Sequence, residues 1–132
     1  MTGVLLDASI LIDVERGTLD LERAAGDANE PVAMAAITAC ELLRGVANLP
    51  AGVRRARSER WLEALLGVVP VIDYDLDIAR VHAALWAELT ALGQTLAAHD
   101  LMIAATAISL GFELATRDAA FRAVPELALR RW

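Results

Sequence analysis

Short apolar runs at 4–6, 32–36, 68–72 and 112–116 alternate along the chain with stretches patterned as helices. Runs of this length, bounded by turn residues, read as buried strands. Strands separated by helices require crossover connections, which build βαβ units and a mostly parallel sheet. Right-handed crossovers then bring the carboxyl ends of the strands to one side. The expected fold class is α/β, a mostly parallel sheet of four strands with helices on its faces. A short run at 127–129 is a candidate fifth strand. The length of 132 residues suits a single domain spanning 1–132. No repeat, low-complexity tract or linker interrupts it.

The helical stretches carry their own punctuation. Residues 9–16 place Ile10, Leu11 and Val14 at helical spacing, and Gly17 closes them as a left-handed cap. A second helix is expected over 19–27. The stretch 38–48 opens on Thr38-x-x-Glu41, the spacing of a capping box. Residues 53–66 set Trp61, Leu62, Leu65 and Leu66 on one face and Arg54, Arg57 and Arg60 on another. Asp75 begins a helix over 75–92 with a stripe of Ile78, Val81, His82, Leu85, Trp86 and Leu89. The stretch 100–110 is apolar on all sides, as a buried helix is.

Composition bounds the function. The net charge is −6 and all 12 basic residues are arginine, so bulk field does not draw this chain to nucleic acid. Local arginines or a bound cation would have to supply any such attraction. Hydrophobic residues make up 57% of the chain and the mean hydropathy is +0.46. Either part of this surface meets a partner, or alanine inflates the index. Cys40 is alone, so no internal disulfide forms, and a reduced, cytoplasmic setting is expected. The first residues lack a basic segment and meet Asp7 within one turn, unlike a signal peptide. No apolar stretch approaches the ~20 residues that span a bilayer.

Four acids, Asp7, Glu41, Asp100 and Asp118, stand where apolar runs end or helices begin. Each has an ordinary explanation. Asp7 and Asp100 suit helix N-caps, Glu41 the reciprocal half of the capping box, and Asp118 a turn. Their coincidence at one sheet edge has none. Two carboxylates ~5 Å apart repel by roughly 3 kcal/mol at an effective dielectric near 20. A cluster of them calls for a cation, and oxygen-only ligands suit Mg²⁺ or Mn²⁺.

These residues sit in short motifs: Leu5-Leu6-Asp7-Ala8-Ser9, Glu41-Leu42-Leu43-Arg44-Gly45, Asp100-Leu101-Met102-Ile103-Ala104-Ala105, and Thr116-Arg117-Asp118 with Phe121. In this order and spacing the chain resembles the PIN-domain ribonucleases, and among them the VapC-type toxins of bacterial toxin–antitoxin pairs. The resemblance covers essentially the whole chain. It implies a PIN-like three-layer sandwich and a metal site of Asp7, Glu41, Asp100 and Asp118, with Ser9 and Thr116 as polar helpers. It also implies Mg²⁺- or Mn²⁺-dependent cleavage of RNA, a VapB-like antitoxin and a homodimer. Water attack on the phosphodiester would leave a 5′-phosphate and a 3′-hydroxyl, with one ion or two.

Beside the acids, Arg117 and His99 are candidate RNA contacts by location. Arg54, Arg55, Arg57 and Arg60 either grip phosphate or form a solvated face with Glu59 and Glu63. His82 reads as a packed core or interface histidine and Cys40 as a small core residue. Two other classes compete. A phosphoaspartate phosphatase or receiver uses an acidic pocket at the same edge, but both normally set a lysine against the phosphoryl group, and this chain has none. An inactive interaction module with the same fold would have no need of a complete acid set. A dinucleotide binder is excluded, because no Gly-x-Gly-x-x-Gly follows the first strand.

Overall fold

The computed structural model describes residues 3–25 and 29–132. Its strands are β1 (Val4–Leu6), β2 (Val32–Ala35), β3 (Val71–Ile72), β4 (Glu113–Ala115) and β5 (Leu129–Arg130). Its helices are α1 (Ala8–Glu15), α2 (Leu21–Ala25), α3 (Ala36–Ala47), α4 (Val53–Val68), α5 (Leu76–Ala91) and α6 (Ala98–Leu110). A 3₁₀ turn, Ala119–Ala123, follows β4.

The strands form one parallel sheet in the order β3-β2-β1-β4-β5. Central β1 pairs Val4 with Val32 on one side and with Glu113 on the other. The chain lays β2 and β3 outward on one side of β1, then crosses back to lay β4 and β5 on the other. Strand order therefore reverses between β1 and β4. Open α/β sheets leave a crevice at such a point, outside the carboxyl ends of the strands.

Side-chain alternation sorts β1 into two cores, because successive residues of a strand face opposite ways. Leu5, with Ala33, Ala35 and Leu114, packs against Leu85 and Leu89 of α5 and Leu101, Ile103, Ala104 and Ala107 of α6. Val4 and Leu6, with Met34 and Ala115, pack against Ile10 and Leu11 of α1, Ala39 and Leu42 of α3, and Leu62 and Leu65 of α4. The result is a three-layer α/β sandwich whose central strand is buried on both faces, as parallel strands are.

Several sequence expectations shift. Helix α3 starts at Ala36, with Ala35 as its uncapped N-cap residue, so Thr38-x-x-Glu41 is not a capping box. Helix α6 starts at Ala98, which puts Asp100 inside the first turn and not at the N-cap. Helix α4 continues through Val68 and shortens β3 to two residues. The run expected at 127–129 pairs one residue later, at Leu129–Arg130. Within the expected second helix, α2 covers Leu21–Ala25, and positions 26–27 lie outside the described residues.

The stripe on α5 is also rotated. Ile78, Leu85 and Leu89 are buried, while Trp86 is 60% exposed. His82 stacks on Trp86 and bonds Tyr74 Oη at 2.8 Å, so it belongs to a surface aromatic group. Cys40 is exposed, not in the core. Gly111 ends α6 at φ 68°, a left-handed conformation that glycine adopts without strain.

Phe121, one of the motif residues, is fully buried and joins the α5–α6 core. It anchors the segment after β4. Phe121→Ala is expected to lower unfolding free energy by about 3–5 kcal/mol in urea titration, the cost of emptying a buried aromatic site.

Candidate active site

The crevice is built outward from Asp7. Its N–H donates to Ala115 O at 3.0 Å, extending the β1–β4 ladder by one residue. Its carbonyl accepts from the N–H groups of Ile10 and Leu11, which opens α1. Although Asp7 occupies the N-cap position, its side chain makes no cap bond. Instead Oδ2 accepts from Ser9 Oγ at 3.0 Å and from Thr116 Oγ1 at 2.7 Å. The residue is only 7% exposed, so hydroxyl donors replace the water it has lost.

The same hydroxyls tie down the loop after β4. Thr116 Oγ1 accepts from the Asp118 N–H at 3.0 Å, and Ser9 Oγ accepts from the Arg117 N–H at 3.0 Å. Thus the β1–α1 and β4 termini are joined by side-chain bonds across the switch point. Asp118 behaves partly as the turn residue its position suggests: Oδ1 accepts from the Ala120 N–H at 2.9 Å and starts the 3₁₀ turn. Only one of its two oxygens is occupied in this way.

Glu41 and Asp100 reach the crevice from α3 and α6. Both carboxyls are pushed above the ordinary range. For Glu41 the causes are burial, then the charges of Asp7 and Asp100, with His99 opposing. For Asp100 they are burial, then Asp118 and Asp7, again opposed by His99. These mutual influences link all four acids and His99 in one electrostatic neighbourhood. Oε1 of Glu41 is buried with no hydrogen-bond partner among the described residues.

The side chains do not converge on a point. Among the described residues no three of His, Cys, Asp or Glu are arranged to hold a metal ion. The donor set nevertheless fits a hard cation. Mg²⁺ keeps several waters and commonly takes only one or two carboxylates directly. An orphaned carboxylate oxygen and two carboxyls made reluctant to ionise are what such an ion would relieve.

Arg117 is engaged within the chain: Nε donates to Asp13 Oδ2 at 2.9 Å and Nη1 to the Trp132 carbonyl. His99 is exposed in the first turn of α6. Among the arginines of α4, Arg55 pairs with Glu59 at 3.0 Å. Arg54 and Arg57 instead line a cleft of about 660 Å³ between α1, α3 and α4.

This cleft was not legible in the sequence. It begins at Glu41 and has Ile12, Leu42, Val46, Leu49 and Trp61 as its apolar lining, with Arg16, Arg54 and Arg57 among its walls. A bond from Ser58 Oγ to Glu15 Oε1, 3.1 Å, joins α4 to α1 within its wall. The one signal available was Ile12, an apolar residue on the outward side of the first helix.

Comparison with known proteins agrees with this fold. The PIN domain pattern matches residues 4–127. The VapC ribonuclease Y4jK of Sinorhizobium fredii is 42% identical over 94 residues, which cover 67% of this chain and 66% of that protein. The crystal structure of VapBC2 from Rickettsia felis, bound to a DNA fragment from their promoter, superposes with a TM-score of 0.84. Identity there is 25%, and 98% of each chain is covered. VapBC-5 from Mycobacterium tuberculosis, a member of a family of toxin–antitoxin systems, gives a TM-score of 0.75 at 26% identity, covering 99% of this chain and 98% of that one.

The raised carboxyls have a consequence for stability. The folded chain retains protons that the unfolded chain releases near the ordinary values of 4.5 for Glu and 3.8 for Asp. Stability from these groups is therefore complete at low pH and declines as pH rises through their folded values. In EDTA at pH 7, Glu41→Gln is expected to melt above the wild type. Thermal scans should show that gap closing as pH falls below the unfolded value.

Proposed function

The chain belongs to the PIN-domain family, and on that footing we propose that it is an endoribonuclease toxin, dependent on Mg²⁺ or Mn²⁺ and restrained by a cognate antitoxin. The observation that carries this reading is the hydroxyl-braced Asp7 facing two carboxyls, Glu41 and Asp100, whose ionisation is suppressed by burial and by their neighbours. A cluster built at such cost is understandable if a divalent cation completes it.

In this reading Asp7, Glu41, Asp100 and Asp118 hold the cation. When bound, it would lower the pKa of a water and neutralise charge on the scissile phosphate. The residues do the rest. Ser9 and Thr116 fix Oδ2 of Asp7, so its other oxygen keeps one direction. Asp118 is held at the crevice by its own N–H on Thr116. One of these carboxylates would accept the proton of an attacking water. His99, exposed beside them, is the candidate phosphate contact. Arg117 serves first as a brace through Asp13.

The partner reading rests on the cleft. Its apolar lining and its arginines suit an amphipathic helix with acidic flanks, and it meets the acids at Glu41. An antitoxin helix seated there would cover the site. The homodimer reading draws on exposed apolar side chains such as Val53, Val68, Leu76 and Trp86. Light scattering should return twice the 14.1 kDa of one chain; a monomer at every concentration removes the dimer.

The central test is RNA cleavage by purified chain freed of antitoxin. Cleavage should require Mg²⁺ or Mn²⁺, stop with EDTA and leave 5′-phosphate ends. Asp7→Ala and Asp100→Ala should each lose a hundredfold or more, on the order of 3 kcal/mol of transition-state stabilisation. Full activity in either variant contradicts the assignment. Cation binding without cleavage of any RNA would favour an inactive interaction module.

A further inference from the structure

Threonine hydroxyls inside helices ordinarily bond back to the carbonyl four residues earlier. Two threonines of this chain do so: Thr106 Oγ1 donates to Met102 O at 2.7 Å and Thr90 Oγ1 to Trp86 O at 2.9 Å. Thr38 does not. It is 0% exposed, and its hydroxyl has no hydrogen-bond partner among the described residues. The cause lies in the junction that contains it. Strand β2 runs directly into α3, with Ala35 extended at φ −72°, ψ 151°. The residue four before Thr38 is Met34, which belongs to the strand and offers no helical carbonyl.

A buried hydroxyl without an acceptor is costly and calls for an explanation. Among the described residues, the other side-chain atom in the same condition is Oε1 of Glu41. One is a donor and the other an acceptor. They lie three residues apart on α3, a spacing that puts side chains on one helix face. Glu41, like Asp100, lacks the hydroxyl bracing that Asp7 receives from Ser9 and Thr116.

We propose that Thr38 is a positioning residue for the acidic centre: unpaired in the metal-free chain, its hydroxyl bonds Oε1 of Glu41 when a divalent cation draws in that carboxylate, and so presents Oε2 to the ion. This rests on the metal-dependent reading above. It gives the α3 side of the crevice the device that Ser9 and Thr116 give the β1 side. Groups that orient a ligating carboxylate typically govern metal affinity by 10- to 100-fold.

The test is Mn²⁺ binding by titration calorimetry, with metal-induced thermal shift as a second readout, on the full chain freed of antitoxin. Thr38→Val keeps the shape and removes the hydroxyl. In EDTA it should melt at or above wild type, since it loses an unpaired donor. Its Mn²⁺ affinity should fall about tenfold or more, with a smaller thermal shift. Thr38→Ser should restore both, and Thr38→Ala stands in if the valine variant does not fold. In a Glu41→Gln background, Thr38→Val should add no further loss, as a pair acting as one unit requires.

Equal Mn²⁺ affinity in wild type and Thr38→Val overturns the inference and leaves the metal reading intact. Loss in Thr38→Ser as large as in Thr38→Val assigns the effect to packing and overturns it as well. No Mn²⁺ binding by wild type overturns both.

Discussion

The structure around the crevice depends on how charge is held at the end of β1. Asp7 is nearly excluded from solvent, and its carboxylate lies within electrostatic reach of Glu41 and Asp100. Hydrogen bonds to a charged group contribute about 1.5–3 kcal/mol each. A neighbouring like charge ~5 Å away costs roughly 3 kcal/mol at an effective dielectric near 20. The two hydroxyls on Oδ2 are thus of the right size to offset about one such neighbour. Among the described residues Glu41 and Asp100 accept no hydroxyl bond, and of the four acids they are the two whose proton affinity rises. The bracing and the strain fall on different residues.

The topology makes this bracing possible. Ser9 and Thr116 are 107 positions apart, yet their hydroxyl oxygens are separated by 3.5 Å. Only a parallel β1–β4 pairing with both strands ending at the same edge brings them there. The register Leu6 opposite Ala115 sets the next residues, Asp7 and Thr116, side by side. Strand order reverses at this pair, so no connection covers it, and the helices that follow each strand diverge.

How much of this was legible in the sequence follows from which forces act locally. The runs at β1, β2 and β4 were readable because strands covered on both faces carry almost unbroken apolar residues. The acids were readable as a group only through the common edge. Asp75 caps α5 as the sequence suggests, but two other helix starts were misread where a cap motif seemed to occur. Thr38-x-x-Glu41 has capping spacing, but β2 passes into α3 through Ala35 and Ala36 without a capping side chain. Asp100 resembles an N-cap residue, but α6 begins two residues earlier. In both cases the failed capping role leaves an acid free for the crevice. The α4 arginines were ambiguous because their use depends on α1, which only tertiary packing brings near: Arg55 bonds within its helix, whereas Arg54 and Arg57 face the cleft.

The placement of the arginines bears on how an acidic chain could engage RNA. Net charge of −6 repels a polyanion at long range. Several arginines are already paired: Arg130 with Glu30 and Glu113, Arg117 with Asp13, and Arg55 with Glu59. Arg16, Arg54 and Arg57 make no salt bridge among the described residues and share one cleft. Within a Debye length of ~8 Å at physiological salt, local charge outweighs distant charge. Attraction by these three is therefore short-ranged and local to the cleft. Under the proposed reading, an antitoxin helix in that cleft and an RNA phosphate at the acids draw on the same few positive charges. On that reading, occupancy by one would compete with the other for these charges.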